Sequence, residues 1–243
     1  MFALKIVTIW VGLFSALWLA GPQPVSAQDV DLNSVRVIAS HFPPYSYDQN
    51  RRARGIAVDV VRRAFERLGL NPSIEIYPWA RALQMVENTP NTVLFSMART
   101  TERESAFKWI GTVIDFDVRL YKKASRTDIV INDLQDLKAY TFAGLLQDVK
   151  TDYLQNLGAY VHEVSNEENA FKMLNLGRID LVASDKNAAG YRLDNLGLSK
   201  QDFVPVYRLA NLSKPLYLVA NIETDDRVVN ALRSALQELA PSQ

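Results

Sequence analysis

The chain contains no cysteine, and its 243 residues include only two histidines. The missing thiols exclude disulfide bonds, thiolate metal sites and a lipid-modified cysteine. Neither His41 nor His162 lies in a metal-binding motif, and the sequence has no serine nucleophile elbow and no phosphate-binding loop. We therefore expect no catalytic residue, no metal and no cofactor.

The chain also lacks a net charge. Basic and acidic side chains number 27 each, so the formal net charge at pH 7 is +0. This balance gives no reason to expect nucleic acid or an anionic membrane surface as a partner.

Long hydrophobic runs are confined to the N-terminus. Lys5 is followed by an apolar run over residues 6–20, and Val25-Ser26-Ala27 forms a small-residue cleavage site before Gln28. The run is shorter than the roughly 20 residues that a membrane-spanning helix needs. Residues 1–27 are therefore predicted to be a cleaved signal peptide, with a retained membrane anchor as the alternative. The mature protein is expected to be periplasmic and not lipid-anchored.

Beyond residue 27, strand-like and helix-like segments alternate, which indicates α/β lobes. About 216 residues suit two lobes of about 100 residues each. Ser165-Asn166-Glu167-Glu168 is typical of a capping box that starts a helix. Strand patterns occupy residues 35–39, 74–77, 92–95, 117–121, 140–144, 160–164, 179–183 and 215–220, and helical patterns cover residues 55–68, 148–157 and 228–239, with further helices starting near 79, 165 and 185.

An anion-binding pattern follows the strand at residues 92–95. Small polar residues come after Phe95, and Arg103 stands before a predicted helix. A strand end exposes backbone N–H groups, and a guanidinium holds a carboxylate through two parallel hydrogen bonds. Arg103 is thus a candidate carboxylate partner, and the alternative is a solvated surface arginine.

Aromatic residues follow two other strand ends. Two prolines hold Phe42 and Tyr45 on a rigid loop after the first strand. Trp79 follows the strand at residues 74–77, at the sheet edge where open α/β sheets build ligand crevices, and Arg81 lies just beyond it. An aromatic ring there can stack on a ligand or hold a cation, whereas packing within its own lobe is the alternative.

Two stretches resemble one family, the periplasmic solute-binding proteins of the amino-acid type (family 3). The segment from Ser96 to Arg103 resembles the family's Ser-x-Thr-x-Thr-x-x-Arg stretch, and Gly177 to Asp185 resembles its Gly-Arg-x-Asp-x-x-x-x-Asp segment. The resemblance implies that Arg103 clamps a ligand α-carboxylate, that Asp185 receives the ligand ammonium, and that Phe42 or Tyr45 covers the ligand. By itself, Asp185 is typical of a helix N-cap.

The chain departs from the family pattern at several positions. Ala98 replaces a hydroxyl residue, which removes one ligand hydrogen bond worth roughly 0.5–1.5 kcal/mol. Asp148-Val149-Lys150 replaces a Gly-Ser/Thr-Thr turn, so only helix N-terminal amides remain there to meet a carboxylate. The candidate ligand-binding residues are Arg103, Asp185, Trp79, Phe42, Tyr45, Ser96, Met97, Ala98, Arg81, Gln147 and Asp148.

For the whole chain the resemblance implies a type II periplasmic binding fold of the α/β class. Each of its two lobes would be a mostly parallel sheet flanked by helices, with a two-strand hinge between them. Lobe 1 is expected at residues 28–120 plus 221–243, and lobe 2 at residues 121–220.

The expected function is closure of the lobes on a small polar, zwitterionic solute, such as an amino acid or derivative. A monomer would then deliver the solute to an ABC permease in the membrane. Two alternatives stay open. One is a periplasmic enzyme resembling cyclohexadienyl dehydratase, with Asp148 or Glu102 as the acid, and the other is a ligand sensor that docks on a membrane signalling protein.

Overall fold

The structure, a computed structural model, describes residues 32–239. The predicted signal peptide lies outside these residues. Within residues 32–239, no helix has the length and apolarity needed to cross a bilayer.

The first lobe is built on a five-stranded sheet. β1 pairs in parallel with β4 and β5, whereas β12 runs antiparallel to β5 and β6, in the order β4-β1-β5-β12-β6. A separate hairpin joins β2 to β3. These strands are β1 (Arg36–Ser40), β2 (Tyr47–Gln49), β3 (Arg52–Arg54), β4 (Ile74–Tyr77), β5 (Thr92–Ala98), β6 (Phe107–Ile114) and β12 (Leu216–Asn221).

The second lobe has a five-stranded sheet of its own. β8 pairs in parallel with β9 and β10, whereas β7 runs antiparallel to β10 and β11, in the order β11-β7-β10-β8-β9. These strands are β7 (Val118–Lys123), β8 (Thr141–Leu145), β9 (Tyr160–Val164), β10 (Leu181–Asp185) and β11 (Phe203–Arg208).

Six helices cover the two sheets in the described part of the chain. They are α1 (Ile56–Arg67), α2 (Trp79–Asn88), α3 (Val149–Asn156), α4 (Glu167–Asn175), α5 (Lys186–Asn195) and α6 (Asp226–Leu239). α1 and α6 pack on one face of the first sheet and α2 on the other, while α4 and α5 oppose α3 across the second sheet. Apolar residues spaced three and four apart give these helices their buried faces, as Val58, Val61 and Phe65 do in α1.

One glycine fixes the aromatic loop against the first lobe. Gly55 precedes α1 with a φ of 125°, a value that favours glycine. A Cβ atom at this position would collide with the backbone carbonyl oxygens of Pro44 and Tyr45. The loop that carries Phe42 and Tyr45 therefore packs directly on the start of α1.

The chain crosses between the sheets twice. It leaves the first sheet after Ile114 and enters the second at Val118, and it returns between Arg208 and Leu216. The expected lobe boundaries at residues 120 and 220 fall inside β7 and β12. We therefore propose that these two crossing segments form the hinge.

The predicted two-lobed α/β architecture is confirmed, with local differences. The prediction of a helix directly after Arg103 is wrong, because turns occupy residues 101–106 and β6 follows them. The β2–β3 hairpin, β6 and the edge strand β11 are additions that the sequence patterns did not predict.

Candidate functional site

A small cavity of about 40 Å³ lies between the lobes, where strand ends of both sheets meet. A large cavity of about 470 Å³ adjoins it and shares four of its lining residues. The shared residues are His41, Trp79, Leu145 and Glu167. The small cavity is lined by these four and by Ser40, Phe42, Ser96, Ala98, Arg103, Phe116, Asp148, Val149, Lys150 and Leu216.

Arg103 reaches from the first lobe across the small cavity. Its Nη2 donates a hydrogen bond to the backbone carbonyl of Gln147 at 3.1 Å, and its guanidinium lies 5.4 Å from the centre of the Trp79 ring. Burial lowers the pKa of Arg103 below its usual value. The nearby carboxylates of Asp148 and Asp152 raise it, but by less than burial lowers it. Its Nη1 lies 3.7 Å from the sulfur of Met97. Within residues 32–239 no carboxylate forms an ion pair with Arg103.

The Gln147 carbonyl joins the two lobes. It also accepts a hydrogen bond from the Trp79 indole Nε1–H at 2.8 Å, so two side chains of the first lobe converge on this one oxygen of the second. Gln147 has a φ of 59° and Ser96, on the facing wall, a φ of 66°. Positive φ is uncommon for residues other than glycine and occurs often at functional sites. The buried Ser96 hydroxyl has no hydrogen-bond partner in the described chain.

A network of buried charges forms the wall of the second lobe. Lys150 Nζ lies 2.9 Å from a carboxylate oxygen of Asp148 and 2.9 Å from one of Glu167, and Glu167 lies 2.7 Å from Arg192. The side chains of Glu167 and Arg192 are each only 2% exposed. Burial raises the pKa of Glu167, but attraction to Arg192 and Lys150 outweighs it and lowers this pKa below its usual value. Glu167 is therefore ionised and paired.

The helix start that positions Glu167 differs from the predicted capping box. Asn166, and not Ser165, is the N-cap of α4, with its side chain accepting the Asn169 backbone N–H at 2.9 Å. With this cap Glu167 is the first helical residue, and it lines both cavities.

Asp185 ends β10 outside the small cavity, and both oxygens of its carboxylate accept hydrogen bonds from the protein. Oδ1 accepts the backbone N–H groups of Asn187 and Ala188, at 2.9 and 3.0 Å, and the Tyr45 hydroxyl at 2.8 Å. Oδ2 accepts the Asp117 backbone N–H at 3.0 Å. Asp185 thus acts as the N-cap of α5 and as a link between lobes. Four donors of the protein itself thus contact the carboxylate that the resemblance assigns to a ligand ammonium, and Asp185 does not line the small cavity.

The remaining candidates divide into two groups. Arg81 is exposed, lies 4.7 Å over the Tyr77 ring and does not line the small cavity. Met97 is fully buried in the core beneath α2, and Tyr45 is buried beside Asp185. The predicted residues that do line the small cavity are Phe42, Trp79, Ser96, Ala98, Arg103 and Asp148.

Sequence reasoning missed Lys150, Glu167 and Arg192, although they dominate the electrostatics of the cavity. The sequence places Lys150 in the altered turn and Glu167 in a capping box, and neither pattern indicates a buried charge. Charged side chains are rarely fully buried, so a sequence pattern places them on the surface by default. Their spacing along the chain gives no signal of the pairing.

Replacing Asp185 with asparagine is expected to lower the free energy of unfolding by about 1.5–3 kcal/mol, because hydrogen bonds to charged groups contribute that much. The new amide would also turn an N–H₂ group towards either the α5 amides or the Asp117 N–H. Urea denaturation measures the loss, and Tyr45→Phe, which removes one of the four hydrogen bonds, should cost less. A change within about 0.5 kcal/mol, as for an ordinary surface substitution, would contradict this role for Asp185.

Several solved structures share this fold. One, described as an ancestral arginine-binding protein bound to arginine, aligns with a TM-score of 0.73 and 18% identity, covering 86% of this chain and 93% of that chain. A histidine kinase sensor domain with similarity to periplasmic binding proteins aligns with a TM-score of 0.73 and 18% identity over 86% of this chain and 91% of that chain. Holo ArgBP from T. maritima aligns with a TM-score of 0.70 and 20% identity, covering 85% of this chain and 91% of that chain.

At these identities the likeness establishes the shared fold alone. No curated protein sequence matches the chain. The model of the bacterial extracellular solute-binding proteins, family 3, matches residues 35–242, nearly the whole of the chain beyond the predicted signal peptide. The protein therefore belongs to the family 3 bacterial extracellular solute-binding proteins.

Proposed function

We propose that the protein binds a small polar solute carrying a carboxylate in the cleft between its lobes. The observation that carries this proposal is Arg103, a largely buried cation at the small cavity that has no paired acid in the described chain. The other buried cations, Lys150 at the small cavity and Arg192 at the large one, each have a carboxylate partner. A carboxylate is the group that a guanidinium fork grips best. The unpartnered Ser96 hydroxyl offers a further donor on the same wall.

The lobes would close on the solute by a shift in population. Contacts from the first lobe meet the second at the Gln147 carbonyl and at Asp185, so the closed arrangement has its own stabilising hydrogen bonds. A solute that touches both lobes binds the closed state better than the open one, and only that difference moves the equilibrium.

An amino acid or a derivative is the solute class that we propose. Fold neighbours described as bound to arginine and to glutamine support this class as the first to test. Delivery to a membrane permease from the periplasm is the proposed role of the closed form. The neighbour described as a histidine kinase sensor domain supports docking on a signalling protein as the alternative.

Binding without turnover is the proposal, and the acids at the cavity support it. Asp148 and Glu167 line the small cavity, and both are paired with Lys150. The pKa of Glu167 is lowered, whereas a general acid must hold a proton at the working pH. Glu102, the other candidate acid, is exposed in a turn outside the small cavity.

A thermal-shift screen tests the proposal. Ligand binding to the native state raises its stability by mass action, so a carboxylate solute at about 100 times its Kd should raise Tm by roughly 5–10 °C. The screen should include amino acids, opines and polyamine conjugates that carry a carboxylate, with free polyamines as the set that lacks one. The proposal fails if no carboxylate solute raises Tm. Prephenate and arogenate should show no turnover by ultraviolet absorbance.

Tryptophan emission gives an independent reading of where the solute binds. The Trp79 indole lines both cavities, whereas Trp109 lies in β6 and packs against Tyr217. The emission change on binding should therefore disappear in Trp79→Phe and persist in the matched variant Trp109→Phe.

A further inference from the structure

The buried and half-buried charges around the two cavities cancel in pairs, apart from two side chains of opposite sign. The pairs are Lys150 with Asp148 and Arg192 with Glu167. Arg103 remains at the small cavity without a carboxylate, and Glu168 remains at the large cavity without a full partner. One belongs to the first lobe and the other to the second.

Glu168 is well buried for an unpaired carboxylate. It is the second residue of α4, its side chain is 17% exposed, and no hydrogen-bond donor of residues 32–239 contacts it. The nearest cationic group is His41 Nε2 at 3.9 Å, which forms an ion pair only when the imidazole is protonated. Asp48, the other acid at the large cavity, is exposed and accepts the Arg51 backbone N–H at 3.0 Å.

The shapes of the cavities separate the two charges. About 40 Å³ beside Arg103 has room for an end group only, whereas about 470 Å³ beside Glu168 lies within the usual size of a ligand pocket, roughly 300–1,000 Å³. Trp79 lines both spaces, so an alkyl chain that passes from one to the other would pack on its ring. Asp185, whose carboxylate accepts four hydrogen bonds from the protein itself, lines neither cavity.

We propose that Glu168 binds the cationic end of an elongated solute whose carboxylate is held by Arg103. The chemical class is an ω-amino or ω-guanidino carboxylate, in which an alkyl chain separates the two charges. This inference rests on the proposed function, since it takes the carboxylate site at Arg103 as given. It adds the second charge and its position.

Isothermal titration with matched probes tests the inference. The probes are 5-aminopentanoate and 6-aminohexanoate, each compared with pentanoate or hexanoate, which lack the amino group. On the wild-type protein the better amino probe should bind on the order of tenfold tighter than its plain counterpart, because close charge pairs across a binding interface add about that much. Glu168→Gln should remove this advantage. Glu163→Gln is the matched control, since Glu163 is exposed in β9, lines neither cavity and accepts the Gln155 amide at 3.3 Å.

The comparison of two probes on one variant separates ligand recognition from stability. Glu168 also sits in the first turn of α4, where an acid stabilises the helix, so Glu168→Gln can lower Tm without bearing on the inference. Equal weakening of amino and plain probes by Glu168→Gln would overturn it. If plain carboxylates bind in an Arg103-dependent way and the amino group adds nothing, the inference fails and the proposed function stands. If no carboxylate binds, both fail.

Discussion

Replacing Arg103 with alanine is expected to abolish the thermal shift that carboxylate solutes produce. Removing one partner of a buried charge pair costs about 2–5 kcal/mol of binding free energy, which is roughly a 30-fold to several-thousand-fold loss of affinity. Arg103→Lys keeps the charge but loses the planar fork, so it should bind with intermediate affinity. Isothermal titration with hexanoate and 6-aminohexanoate measures the loss.

Arg81→Ala is the matched control for this prediction. Arg81 also starts near the end of a first-lobe strand, but it is exposed, stacks on Tyr77 and does not line the small cavity. Its loss should leave affinity within about twofold, as for a surface substitution. If Arg103→Ala binds carboxylates as tightly as Arg81→Ala does, Arg103 is not the carboxylate partner.

The second large effect is expected in stability. Glu167→Gln should lower the free energy of unfolding by about 3–5 kcal/mol, because it leaves Arg192 buried without a counter-charge. Arg192 is 2% exposed, and its Nε and Nη1 have no hydrogen-bond partner in the described chain, so Glu167 is its one charge partner there. Urea denaturation, followed by two probes to check for a two-state transition, measures the loss.

The matched control is the exposed pair Lys200–Asp194, whose side chains are more than half exposed. Asp194→Asn should cost less than about 1 kcal/mol, since surface ion pairs contribute little. Similar losses in Glu167→Gln and Asp194→Asn would contradict the account of the buried network.

The same network makes the free energy of unfolding depend on pH in the acidic range. The folded-state pKa of Glu167 is lowered, so its pairing contributes fully above the unfolded value of about 4.3 and is lost as pH falls below it towards the folded value. Glu167→Gln should therefore narrow the stability difference between neutral pH and pH values below that point.

Local patterns were enough to predict most of the fold. β4 coincides with the predicted strand, and Trp79 begins a helix directly after it, because β-branched alternation and a proline mark this boundary clearly. The sequence does not predict β11, because Pro205 interrupts it and its apolar and polar residues do not alternate. The helix expected after Arg103 fails because residues 101–106 only turn the chain between β5 and β6, which do not pair with each other.

The sequence predicts the site residues that lie next to strand ends, but not the contacts between residues far apart in the chain. Ser96 lies near the end of β5, Trp79 just after β4 and Arg103 in the turns that follow β5, and the topology brings these strand ends together. Asp185 was placed correctly at a strand end, but its partner Tyr45 is 140 residues away, and nothing near either residue signals that the hydroxyl takes the carboxylate. The pairing of Glu167 with Arg192 is likewise a tertiary contact between two helices.

The most direct test is a crystal structure of the protein with the carboxylate solute that gives the largest thermal shift. The account predicts the solute between the lobes, with its carboxylate at about 2.7–2.9 Å from the Arg103 guanidinium and with contacts to residues of both sheets. A solute bound to one lobe only, or one whose carboxylate lies away from Arg103, would contradict it.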